Sequence, residues 1–253
     1  MKRRRNFWKS FWIIPIVLPV LLGGCLAGCS SLGLGTSWKE EVLLHDGRVV
    51  IIERSVERGG RYVIGGKPPY KEQRLSFTMP DTNQKIIWED HFSPELGMAN
   101  FLPRLIDIHS NIPYLVVTPM GCLSYNKWGR PNPPYVVFQY VDNRWQRIPV
   151  SELPDEIKIP NMIASMPDTV VEQSGTRFMT KEMIQKIISN YRQVKGSQTI
   201  LREPIEPCAK PGSPSCPSYG SQVDCEKMIW YGCGWGAPGE SNRKYFERVC
   251  KDR

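Results

Sequence analysis

The sequence predicts a mainly β protein: an antiparallel hairpin and meander domain, sandwich-like in build, followed by one helix and a disulfide-rich tail. Three observations predict it. Runs rich in Val, Ile, Tyr, Phe and Trp recur at roughly ten-residue spacing, the pattern of short strands on a half-buried sheet. Turn pairs such as Asp46-Gly47 separate apolar runs, and Asp-Gly is a strong hairpin signal. Helical spacing is scarce, and five of the eight cysteines crowd into the last 46 residues.

The elements follow in order. Trp38 to Arg54 reads as a hairpin, with EEVLL and RVVIIER flanking His45-Asp46-Gly47. RLSFTMP and QKIIWED flank Asp81-Thr82-Asn83 and form a second. RLIDIH and IPYLVVTP come next, then PYVVFQY, joined to WQRIPV through Val141-Asp142-Asn143-Arg144. The 22 prolines mostly punctuate run ends, where an edge or turn tolerates a missing donor. Lys181 to Gln193 is the best helix. Met183, Ile184, Ile187, Ile188 and Tyr191 share a face there, and Thr180 supplies an N-cap. Ser241 to Cys250 is a second, weaker helix. EPCAKPGSPSCPSYGSQ lies between the two helices and is too rich in Pro, Gly and Ser for regular structure.

The chain opens MKRRRNFWKS, with five basic residues and no acid, and the apolar run Phe11 to Gly24 follows. A positive n-region, an apolar h-region and small residues behind it are the layout of an export signal. A retained membrane helix is the poorer reading. A span needs about 20 apolar residues, and this one would contain Pro15 and Pro19, each of which weakens a helix.

Leu26-Ala27-Gly28-Cys29 resembles the lipobox of bacterial lipoproteins. The resemblance implies a diacylglycerol on the Cys29 thiol, cleavage before it, and acylation of the new amino group. Leu22-Gly23-Gly24-Cys25 is a rival site, but Ser30 and Ser31 after Cys29 open a polar tether of the usual kind. Serine at that position goes with outer-membrane sorting in Gram-negative lipoproteins. The remainder resembles an uncharacterised Gram-negative envelope lipoprotein family, which implies an address and no activity. The expected organisation is a signal peptide over 1–28, a tether over 29–37, an antiparallel β domain over 38–178, and a helix with a Cys-rich tail packed on it over 179–253.

Charge and cysteines fit export. The formal +8 falls to +3 without the five basic residues of the signal, so no concentrated basic face argues for nucleic acid. Six cysteines remain in the body: Cys122, Cys208, Cys216, Cys225, Cys233 and Cys250. An even number outside the cytoplasm argues for disulfides, with 15 pairings open. Cys208–Cys216 closes a short proline-glycine loop and is the expected local clip. Cys122 is expected to reach the tail.

Enzyme motifs are thin. Gly234-Trp235-Gly236-Ala237-Pro238-Gly239 matches the letters of a dinucleotide loop, but that loop needs an acidic residue about 20 positions on and only 14 residues follow Gly239, so a glycine-rich turn between disulfides is expected. Ser124 and Lys127 fit Ser-x-x-Lys, yet Trp128-Gly129-Arg130-Pro131 stops a helix at once and no Lys-Thr-Gly follows. His45, His91 and His109, with Asp46, Asp90 and Asp107, make a conceivable acid-base or metal set. None has helical His spacing, and no cofactor or metal is expected. His91, His109 and Ser124 are the weak catalytic candidates of an envelope hydrolase, the alternative reading.

The densest unusual segment is Met120 to Tyr135, MGCLSYNKWGRPNPPY. As a proline-stiffened loop it would present Tyr125, Trp128, Arg130 and Tyr135 to an envelope protein, peptide or glycan, since aromatics and Arg dominate binding hot spots. The competing reading folds the loop back on the sheet with its aromatics in a satellite core. The expected function is thus a lipid-anchored outer-membrane lipoprotein with a non-enzymatic binding or structural role.

Overall fold

A computed structural model describes residues 35–60, 66–190, 198–204, 229–230, 235–236 and 239–251. The protein is mainly β. Strands β1 (Gly35–Leu43), β2 (Val49–Arg58), β3 (Tyr70–Thr78) and β4 (Lys85–Asp90) form an antiparallel meander. β5 (Phe101–His109), β6 (Ile112–Pro119), β7 (Val136–Val141) and β8 (Arg144–Ile148) form a second. The predicted turns close the hairpins. Each needs a left-handed residue, and Gly47, Asn83, Asp142 and Asn143 supply it.

Alternation along the strands makes one shared core. Val42, Ile52, Leu75, Phe77, Ile86 and Trp88 of the first sheet pack with Phe101, Ile106, Ile108, Leu115, Val117 and Val136 of the second. Positions between them on β1 and β2, such as Lys39, Ile51 and Glu53, point to solvent. The second sheet is buried on its other face too. Leu105, Tyr114, Val116, Val137 and Ile148 pack there beneath Leu153, Ile157 and Ile200. Burial on both faces explains why β6 reads as a continuous apolar run.

The helical parts depart from expectation. The Met120–Tyr135 segment is not an open loop, because α1 occupies Gly121–Lys127. Gly121 at φ +72° makes the sharp entry that a residue with a side chain resists. A second unforeseen helix, α2 (Pro167–Ser174), carries Pro at its first turn and ends on Gly175 at φ +70°, the usual asymmetry of helix ends. The two-residue β9 (Phe178–Met179) then pairs parallel with β1. α3 (Lys181–Asn190) lies where the spacing puts it and buries Ile184 and Ile188. These two join Val171 of α2 and Met179 against Trp38, Val56 and Tyr70. β1 also takes in Gly35, Thr36 and Ser37, which the sequence assigns to the tether. Further on, β10 (Ile229–Trp230) pairs with β11 (Trp235–Gly236), and α4 runs over Glu240–Lys251.

Cys25, Cys29, Cys208, Cys216, Cys225 and Cys233 lie outside the described residues, as do the side chains of Cys122 and Cys250. The lipidation and disulfide expectations fall there.

Candidate functional site

Side-chain bonds between turns gather the hairpins at one end of the two sheets. Arg48 bonds Asp46 in its own turn at 2.7 Å and reaches Asp81 of the β3–β4 turn at 3.3 Å. Gln84 donates to Asn143 of the β7–β8 turn. The Arg48 backbone N–H and guanidinium hold the Asp46 carboxyl below its ordinary range.

Two of the three histidines meet at this end. Asp107, on the inner part of β5, accepts the backbone N–H of His45 at 3.0 Å and that of Ile108 at 2.8 Å. Its Oδ1 lies 2.7 Å from His45 Nδ1. A carboxylate only accepts, so Nδ1 carries the proton and Nε2 is left as the basic nitrogen. The His109 ring sits 5.4 Å from that of His45. Ser110 Oγ is 3.3 Å from His109 Nδ1, and Glu156 lies 3.7 Å from its Nε2. Asp107 is buried, whereas the imidazoles are 17% and 32% exposed. The arrangement orients one base beside a second imidazole. Among the described residues no group of three or more His, Cys, Asp or Glu side chains is placed to hold a metal ion.

The other candidates are elsewhere. His91 follows β4 at the opposite end, 70% exposed, with Nδ1 2.6 Å from Glu72 and Glu89 at 3.9 Å. The Glu72 bond lifts its pKa above the usual imidazole value. Ser124 is fully buried on α1, and its hydroxyl donates to the Asn100 carbonyl. Lys127 Nζ is drawn away to Ser93 Oγ at 2.8 Å and Glu95 at 3.5 Å.

The binding-surface set needs correction. Tyr125 and Tyr135 are 8% and 3% exposed, so their rings fill the interior and offer no contact surface. Trp128 is half-buried, 4.5 Å from Phe101, and its indole N–H reaches Asn100 Oδ1 at 3.2 Å. Arg130 alone of the four is exposed, bonded to Asn126. Burying the three aromatic rings stabilises the segment far more than displaying them would.

Ser124 and Trp128 therefore share a partner that sequence reasoning missed, Asn100. Asn100 donates through its backbone and side-chain nitrogens to Asp90 at 2.8–3.0 Å. Phe101 N and Gln73 Nε2 also donate to that carboxylate. Burial lifts the Asp90 pKa above its ordinary value although these donors oppose it. The only signal was the strand-end Asp followed ten positions later by Asn, which no spacing rule marks.

The chain matches no protein-family model, and neither curated proteins nor solved structures provide a match. The fold and its residues thus define a class only: a mainly β protein of two sheets sharing one core. Among the described residues no helix is long and apolar enough to cross a membrane.

Proposed function

We propose that this chain is a lipid-anchored envelope lipoprotein of a Gram-negative outer membrane with a non-enzymatic binding or structural role. The observation that carries the address is Leu26-Ala27-Gly28-Cys29 behind a basic and apolar leader, with Ser30 and Ser31 after it. The engagement of the candidate catalytic groups supports the non-enzymatic part. Ser124 is sealed in the interior, and His91 and His109 stand at opposite ends of the sheets. The partner is an envelope protein, peptide or glycan. The proposal includes a sandwich-like body tied to its Cys-rich tail by disulfides.

A mass map of protein extracted from membranes with detergent, run without reductant, tests this. Diacylglycerol on Cys29 is the expected N-terminal mass, and bonds among Cys122, Cys208, Cys216, Cys225, Cys233 and Cys250 are expected with it. An intact, unlipidated N-terminus overturns the lipoprotein reading.

One observation favours the envelope-hydrolase alternative: Asp107 orients His45 beside His109 and Ser110. An ester or amide hydrolysis that His45→Ala abolishes, with the fold intact, would replace the binding reading.

A further inference from the structure

From the reading of Cys29 as the lipidated residue, and resting on it, we infer that the outer face of the β1–β4 sheet lies flat against the lipid surface that holds the anchor. Only residues 30–34 separate Cys29 from the first residue of β1, Gly35. Fully extended, that stretch reaches at most about 20 Å, and the headgroup layer takes up several of them. β1 itself runs roughly 26 Å from Gly35 to Leu43. A body tied so closely touches the surface with some part of itself.

The exposed apolar side chains choose the part. Leu43, Val49, Ile51, Ile87 and Phe178 are each 37–40% exposed, and all belong to this sheet. Leu43 and Val49 are direct cross-strand partners, and Ile51 follows Val49 on the same face. Ile87 stands opposite Ser76, which pairs with Glu53, which pairs with Lys39 beside Phe178. Ile87 and Phe178 therefore mark the two ends of one row across the sheet, with Ser76, Glu53 and Lys39 between them, and Leu43, Val49 and Ile51 cluster beside it on the same face where β1 and β2 join. Two shallow grooves of about 790 and 550 Å³ share Lys39 and Glu53 and extend along the same face.

Charge fixes the kind of lipid contact. Lys39, Arg74 and Lys85 interleave with Glu41, Glu53 and Glu89, and Lys39–Glu53 and Arg74–Glu89 pair at 3.3 and 3.2 Å. A mosaic of both signs is not drawn to anionic headgroups by net charge. Apolar burial drives the contact, with the lysine and arginine stems lying along the surface and their heads in water. Contact is therefore retained on zwitterionic lipid.

Hydroxyl-radical footprinting of the full lipidated chain in phosphatidylcholine vesicles tests this. Ile159 and Met166, exposed apolar residues off this sheet, serve as internal references. Labelling of Leu43, Val49, Ile51 and Ile87 is expected to fall several-fold relative to them, and to stay low when the protein is diluted at fixed lipid. Ile51→Lys, an exposed change, is expected to restore labelling at Leu43 and Val49 while the protein still floats with the vesicles. Equal labelling of both sets, with acyl chains found on Cys29, overturns the docked face and leaves the lipoprotein reading standing. An unacylated Cys29 overturns both. Protection lost on dilution means that a second copy covers the face, and also overturns the inference.

Discussion

Asp90, Asn100 and Ser124 show how a residue's setting decides its chemistry. A serine three residues before a lysine on a helix has the letters of a nucleophile, yet Ser124 spends its hydroxyl on a backbone carbonyl. That carbonyl also accepts from Met120 N, so Ser124→Ala removes one bond without orphaning its acceptor. The expected cost is about 1 kcal/mol, a fall in Tm of about 2–4 °C, read by calorimetry. A serine hydrolase would instead lose its activity with no such shift. Asp90→Ala is harsher, because the N–H donors of Asn100, Phe101 and Gln73 lose their acceptor inside the protein. Each orphaned donor costs on the order of 1–3 kcal/mol, so denaturant titration should show a loss of several kcal/mol or no folded protein. His91 gives the contrast at the surface. Its raised folded-state pKa means that the Glu72 pair stabilises below the ordinary imidazole value of 6.5 and is lost as pH rises through the raised one. Glu72→Gln should bring the His91 titration, followed by NMR, back toward its ordinary midpoint. Stability should change by less than about 0.5 kcal/mol, because the pair is exposed.

At the level of elements, a largely buried ion pair ties α2 to the first sheet. Arg58 on β2 meets Asp168 of α2 through two bonds of 2.6 and 2.8 Å, and Tyr70 donates to the same carboxylate at 2.6 Å. Burial alone would raise the Asp168 pKa, but the Arg58 and Tyr70 bonds outweigh it and hold the carboxyl below 3.8. Its contribution is therefore present above that value and lost as pH falls through the lower folded-state one. Arg58→Ala leaves the carboxylate buried and unpaired, for an expected loss of about 3–5 kcal/mol. Replacing both partners, as Arg58→Met with Asp168→Leu, should recover much of that, and a double-mutant cycle in denaturant measures the difference. The same elements show what was legible in the sequence. The hairpins were, because Asp46-Gly47 and Asp142-Asn143 combine the residues that accept left-handed backbone with alternating apolar neighbours on both sides. α3 was, from its apolar spacing. α2 carried a usable signal in Pro167 and Gly175, but eight residues give too little periodicity to assert a helix. α1 carried less, entering through a positive-φ glycine with no side-chain cap. The sequence offers His45 and Asp107 as members of one conceivable set, but their pairing was not legible: 62 positions separate them, and only the stacking of two sheets brings them together.

Across the whole molecule, the second sheet depends on the chain returning to cover it. Residues 149–163 cross its outer face with Leu153 and Ile157, and the chain comes back near residue 200 to add Ile200. Arg202 locks this arrangement, donating to the carbonyls of Val150, Leu153, Pro154 and Ile157. One guanidinium with five fixed donors satisfies four acceptors that no strand ladder serves. Among the described residues the first sheet has no such cover on its outer face, and α2 and α3 brace only part of its inner one. The two sheets therefore stand on different supports. Arg202→Ala takes the guanidinium donor from the Leu153 and Ile157 carbonyls, while those of Val150 and Pro154 keep a backbone N–H each, and should cost about 2–4 kcal/mol. Native-state hydrogen exchange locates that loss. In the unaltered protein β6, buried on both faces, should hold the slowest amides, because its opening needs both cores to part. In Arg202→Ala the amides of β7 and β8 should exchange markedly faster, while those of β2 and β3 hold their rates. Equal acceleration in all four strands would mean that the sheets open together, their shared core outweighing the separate supports.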